Sequence, residues 1–139
     1  MLRLFLDANV LFTAAHNLGG RAAALVSLAR QGSCALLTSS HAVEEARRNL
    51  RLKYPDAEAD LAQLLRTVSL QPEAPASDVS WALTLGLPLD DAPILAAAVR
   101  ARADLLVTGD RAHFGALAGR NLRGVEVASP AEALSRVLG

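Results

Sequence analysis

Two hydrophobic rhythms alternate along this chain. Short, largely apolar runs occur at Leu2–Leu6, Cys34–Leu37, Thr67–Leu70, Leu105–Val107 and Val125–Val127. They are too short for helices and fit buried strands. Between them apolar residues recur at helical spacing. The first such stretch carries Val10, Leu11 and Ala14. Further helices are predicted over Ala22–Arg30, through Ala42, Val43, Ala46 and Leu50, and over Asp56–Arg66, Asp78–Leu85, Asp91–Arg102 and Pro130–Leu138. Gly19, Gly20, Gly32 and Gly86 punctuate these segments, and Pro55 with Asp56 does the same. Ser39 and Ser40 are candidate N-caps, and Pro93 suits a first helical turn.

Strands that alternate with helices, and that are themselves apolar without a period of two, predict a parallel sheet covered by helices on both faces. In such folds ligands bind outside the carboxyl ends of the strands. The proline-bearing stretch Gln71–Ser77 is short enough to be a connection, so residues 1–139 are expected to form one domain.

Composition narrows the class. With 52% hydrophobic and 20% charged residues, the chain has enough apolar surface to offset the entropy of folding. No apolar run reaches the roughly 18 residues that span a bilayer, and Met1–Leu6 is too short for a secretory signal. No membrane association and a cytoplasmic location are therefore expected. Fourteen basic and fourteen acidic residues cancel, so any nucleic-acid binding must come from local patches. The single cysteine, Cys34, lies in a strand-like run and reads as a small core residue.

The acids carry the candidate chemistry. Asp7 directly follows the first strand, and Asp110 follows the fourth through Thr108 and Gly109. Each could cap a helix, yet each also stands where a parallel sheet presents its carboxyl edge. Asp91 lies above the apolar stripe of Ile94, Leu95 and Ala98, with Asp90 as the competing residue; Asp91 is favoured as ligand and Asp90 as cap. Glu44 has Arg47 and Arg48 three and four residues on, which suits a solvated ion pair. Glu45 lies nearer the inner face, although helical geometry separates the two glutamates only weakly. If four such carboxylates converge, they repel one another unless they hold a cation. Oxygen-only ligation suits Mg²⁺ or Mn²⁺, ions that can activate water for phosphodiester hydrolysis.

The segments Leu6-Asp7-Ala8-Asn9-Val10-Leu11, Glu45 with Leu50, Asp90-Asp91-Ala92-Pro93-Ile94-Leu95 and Val107-Thr108-Gly109-Asp110, in this order, resemble the PIN-domain ribonucleases. The resemblance spans nearly the whole chain. It implies an α/β fold, a three-layer α/β/α sandwich around a mainly parallel sheet, which the strand runs set at about five strands with strand one central. It also implies Mg²⁺- or Mn²⁺-dependent endoribonuclease activity, with Asp7, Glu45, Asp91 and Asp110 as the catalytic, metal-holding set. Asn9 and Thr108 then orient carboxylates or water. VapC-type toxins of toxin–antitoxin pairs are similar, which implies an RNA substrate, a cognate antitoxin and a homodimer.

Other residues weigh against alternatives or add little. The sole lysine, Lys53, and the sequence Asp7-Ala8-Asn9 do not fit a receiver or haloacid-dehalogenase site. A PIN-like RNA- or protein-binding module without catalysis is the competing reading. Arg47, Arg48 and Arg51 cluster on one helix and Arg111 adjoins Asp110; they are either a solvated face or phosphate contacts for RNA. His16, His41 and His113 lack ligand spacing and are assigned no chemistry.

Overall fold

The computed structural model describes residues 1–139. Five strands, β1 (Arg3–Leu6), β2 (Ala35–Ser39), β3 (Val68–Gln71), β4 (Leu105–Val107) and β5 (Glu126–Ala128), form one sheet in the order β3-β2-β1-β4-β5. All four pairings are parallel. The expected parallel sheet with a central first strand is therefore the observed one. Phe5 is registered with Leu37 on one side and Leu106 on the other, and Leu6 with Val107. Leu4, Phe5, Leu6, Leu36, Leu37, Leu106 and Val107 are buried, as strands covered on both faces require.

Two helices, α1 (Ala8–His16) and α2 (Arg21–Arg30), cross from β1 to β2; α3 (Ser40–Lys53) and α4 (Glu58–Leu64) cross from β2 to β3. The chain then returns through α5 (Ala76–Leu83) and α6 (Ala92–Arg100) to β4, on the far side of β1. Because crossovers are right-handed, the outward and returning connections cover opposite faces of the sheet. Inside α6, Ile94, Leu95, Ala96, Ala97 and Ala98 are all fully buried. Alanine makes that possible, because only small side chains let a helix pack on several sides at once. The chain ends with α7 (Arg111–Phe114), β5 and α8 (Pro130–Leu138). A capping box between Ser129 and Glu132 starts α8.

Two local expectations need correction. The helix expected over Asp56–Arg66 is broken into a 3₁₀ turn at Pro55–Ala57, α4, and a second 3₁₀ turn at Leu65–Thr67. Pro55 begins a tight turn rather than the α-helix, and the chain must twist at Leu65 to enter β3. β3 itself lies at the sheet edge and leaves Leu70 60% exposed, so it is not a strand buried on both faces. The four-residue α7 is too short to show periodicity, yet its Phe114 and the following Leu117 are buried. Cys34 is a free, buried thiol, in keeping with a packing role. No helix is long and apolar enough to cross a membrane.

Since β4 is closed on both edges and both faces, Leu106→Ala should leave a cavity that cannot collapse, costing about 2–5 kcal/mol. Ser129→Ala, which removes only the cap of α8, should cost about 1 kcal/mol. Urea unfolding would check both, and a Leu106→Ala cost no larger than that of Ser129→Ala would contradict the central position of β4.

Candidate active site

The site grows from the last hydrogen bonds of the central strand. Beyond Leu6, the Asp7 N–H donates to the Val107 carbonyl at 3.0 Å, which sets Asp7 beside the end of β4. Asp7 is only 3% exposed. Its Oδ1 accepts from the Ala8 N–H at 2.7 Å and so caps α1. Its Oδ2 accepts from Thr108 Oγ1 at 2.8 Å and from Asn9 Nδ2 at 3.1 Å. The capping and site readings of Asp7 thus describe two oxygens of one carboxylate. Burial pushes its pKa up, with the charge of Asp110 acting in the same direction against the hydrogen bonds.

Thr108 and Asn9 knit β1 to the loop after β4. Thr108 Oγ1 accepts from the Asp110 N–H at 3.1 Å and from Asn9 Nδ2 at 3.2 Å, while Asn9 Oδ1 accepts from the Gly109 N–H at 2.8 Å. The Thr108 N–H still pairs with β5, donating to the Ala128 carbonyl at 2.9 Å, and polar side chains hold the rest of the loop, which delivers Asp110 at the carboxyl end of the sheet. Asp110 Oδ1 caps α7 by accepting from the His113 N–H at 3.0 Å.

His113 overturns one expectation. Its Nδ1 lies 2.7 Å from Asp110 Oδ2 and 2.9 Å from Asp91 Oδ2, so the ring links the two carboxylates. Asp91, Asp110 and His113 each offer a ligand atom, and these lie within 4.8 Å of one another. The spacing Asp110-x-x-His113 places both side chains on one side of a single helical turn, a signal obscured in the sequence because α7 is so short. Hydrogen bonding to Asp110 raises the pKa of His113.

Asp91 occupies the N-cap position of α6, but its carboxylate makes no capping bond. The expected division, with Asp90 as cap, is corrected: Asp90 lies in the preceding turn, and its carbonyl oxygen is 3.2 Å from His41 Nε2. That contact docks the start of α3 against the turn leading to Asp91, a positioning role not expected for His41. The third histidine, His16, stacks on Tyr54 at 4.3 Å between centroids and is a packing residue.

Glu45 and Glu44 part clearly. Glu44 is exposed and paired with Arg47 at 2.6 Å. Glu45 is half-buried, and burial, followed by the charge of Asp7, raises its pKa. Asp91 is raised to about 6 by burial, then by Asp7, Asp110 and Glu45, against the opposing pull of His113. The charges of Asp7, Asp110 and Glu45 thus bear on Asp91, and that of Asp7 on Glu45, which gathers the four acids at one end of the sheet. Their hard oxygen donors, with the one imidazole beside them, suit a divalent cation such as Mg²⁺ or Mn²⁺. Of the candidate RNA contacts, Arg47 and Arg51 are ion-paired with Glu44 and Glu58. Arg48 is exposed near Glu45, and Arg111 is exposed beside Asp110.

The raised carboxyls carry a pH signature. A carboxyl whose pKa is higher in the folded chain stabilises the fold at pH below its unfolded value and loses that contribution as pH rises through its folded value. For Asp91 the loss falls between about pH 4 and 6; Asp7, Glu45 and His113 are also raised and act with the same sign. In EDTA the protein should therefore melt at a lower temperature at pH 7 than at pH 5. Asp91→Asn should flatten that slope. Thermal melts across this range are the check, and an unchanged slope in a folded Asp91→Asn protein would refute the shared repulsion.

Known proteins repeat this arrangement of the chain. The protein PAE2754 from Pyrobaculum aerophilum superposes with a TM-score of 0.71 at 19% identity, over 99% of this chain and 96% of that one. VapBC2 from Rickettsia felis, in a structure bound to a DNA fragment from its promoter, gives 0.68 at 16% identity, over 92% and 98%. VapC20 from Mycobacterium tuberculosis, a sarcin–ricin-loop-cleaving toxin, gives 0.59 at 16% identity, over 81% and 94%. At these identities the likeness is one of fold. No curated protein sequence matches the chain. The family model of the PIN domain matches residues 3–112, which take in β1 through Asp110 and every acid of the site, and the chain belongs to the PIN domain family.

Proposed function

We propose that this protein is a divalent-metal-dependent endoribonuclease that hydrolyses RNA phosphodiester bonds, with residues 1–139 acting as one domain. Asp7, Glu45, Asp91 and Asp110 are the catalytic residues and would hold Mg²⁺ or Mn²⁺. The observation that carries this reading is that Asp91 and Asp110 bring carboxylate oxygens within 4.8 Å of each other at the end of the sheet; burial first, and then neighbouring acids, raise Asp7, Glu45 and Asp91 there, and folding alone gains nothing from gathering such groups. A bound divalent ion supplies a water of lowered pKa and stabilises charge developing on the phosphate.

The chain's own residues supply placement. Thr108 and Asn9 hold Asp7 Oδ2, which fixes that carboxylate against rotation. The Glu45 side chain makes no hydrogen bond within the protein, so its oxygens remain available to a cation or an ordered water. His113 donates toward Asp91 and Asp110 when protonated and steadies their relative position.

The toxin reading draws its support from the similarity to VapBC2 and to VapC20, whose described activity is cleavage of the sarcin–ricin loop. Under it, the protein works in the cytoplasm and binds a cognate antitoxin. Homodimerisation is part of the same proposal, favoured by the exposed apolar side chains of Leu18 and Tyr54 along one groove.

RNA cleavage by the purified protein with Mg²⁺ or Mn²⁺, compared with EDTA, is the decisive assay. Asp7→Asn, Glu45→Gln and Asp91→Asn should each lower the rate by about 100-fold or more, which corresponds to at least ~2.7 kcal/mol in the barrier. Glu44→Gln and Asp90→Asn should remain near wild type. Full activity in a folded Asp7→Asn protein would end the proposal, and RNA binding without cleavage would favour the non-catalytic module.

A further inference from the structure

We infer that a groove running from Asn9 and Gly109 to the start of α2 is a phosphate-binding track, with Arg21 and Arg111 holding the RNA backbone beside the bond to be cleaved. This rests on the ribonuclease reading and assigns the substrate path for it.

The groove has a volume of about 490 Å³ and includes Asn9, Thr13, Asn17, Arg21, Gly109 and Arg111 in its lining. It opens directly off the acidic centre. Asn9 both lines it and hydrogen-bonds to Asp7, while Gly109 and Arg111 flank Asp110.

Charge sets the groove apart. No aspartate or glutamate lines it. Arg21 and Arg111 are both exposed, and neither belongs to any ion pair of the structure. By contrast, Arg47 and Arg51 on α3 already face Glu44 and Glu58. A chain of zero net charge that draws a polyanion toward four carboxylates needs uncommitted cations next to them. This groove supplies two.

Its polar lining and its lack of aromatic side chains define what it reads. Thr13 and Asn17 offer donors suited to phosphate oxygens, and no ring is available to stack a base. The groove therefore holds backbone rather than selecting sequence. At the entry to α2 a Cβ on Gly20 would come within 2.9 Å of Asn17 Nδ2, the movable end of a side chain, so glycine there leaves room for the Asn17 amide beside Arg21.

The test is fluorescence anisotropy of labelled single-stranded RNA oligonucleotides of two unrelated sequences, in EDTA, over a series of salt concentrations. Arg21→Ala and Arg111→Ala should each weaken binding several-fold for both sequences. Each should also reduce the slope of log affinity against log salt by about 0.7 for every phosphate that the arginine neutralises in the wild type. Arg30→Ala, at the far end of α2, should change neither. Thermal melts would establish that the variants are folded. If wild type binds and cleaves RNA while the Arg21 and Arg111 variants keep its affinity and salt slope, the groove assignment is wrong and the ribonuclease reading stands. If wild type neither binds RNA nor cleaves it with Mg²⁺ or Mn²⁺, both are overturned.

Discussion

The buried carboxylate of Asp7 is the constraint on which the rest of the site depends. A negative charge at 3% exposure is unfavourable unless its oxygens are satisfied. Here three groups do so from three places: the Ala8 amide at the start of α1, the Asn9 side chain in the first turn of that helix, and Thr108 beyond β4. Satisfying one acid therefore fixes the first helix, the central strand and the loop after β4 relative to one another. The loop so held is the one that delivers Asp110, and its amides are taken up by the same polar side chains.

Electrostatics explains why the surrounding structure is arranged as it is. Three carboxyls at one end of the sheet are raised above their ordinary range, chiefly by burial and then by repulsion from neighbouring acids, a cost that the fold carries there. The apolar pairing of β1 with β2 and β4, and the all-round burial of α6, hold the elements together against it. His113 is the one basic group within ion-pairing distance of those acids, and it relieves only part of the repulsion. The bulk of the basic side chains stand elsewhere, so a balanced net charge conceals an acidic centre with a cationic flank.

Much of this was legible from residue order. Apolar runs ending in acids, separated by helical spacing, determine a parallel sheet and place Asp7 and Asp110 at its carboxyl edge, because strand direction and side-chain period are local properties. The PIN resemblance of the same segments named Glu45 and Asp91. Helical periodicity alone could not choose between Glu44 and Glu45, since adjacent residues differ by only about 100° around a helix. Their separate fates followed from where α3 lies against Asp7 and where Arg47 finds its partner.

Tertiary structure alone decided the rest. His113 stands beside Asp110 through their i, i+3 spacing, but it joins Asp91 to Asp110 only because the starts of α6 and α7 meet at one end of the sheet, and Asp91 shares no spacing with either. His41 reaches Asp90 for the same reason. Which arginines are committed to ion pairs and which stand free beside the acids depends on long-range neighbours, as Arg51 with Glu58 and Arg111 with none illustrate. Sequence by itself determined the five strands, the main helices and the acids at the strand ends, through local periodicity and residue chemistry, but not the 3₁₀ turns or α7. The caps that Asp7 and Asp110 make with adjacent residues are local, whereas the contacts that join them to other elements, Thr108 to Asp7 and Asp91 to Asp110 through His113, were set by packing between distant elements, which no local pattern encodes.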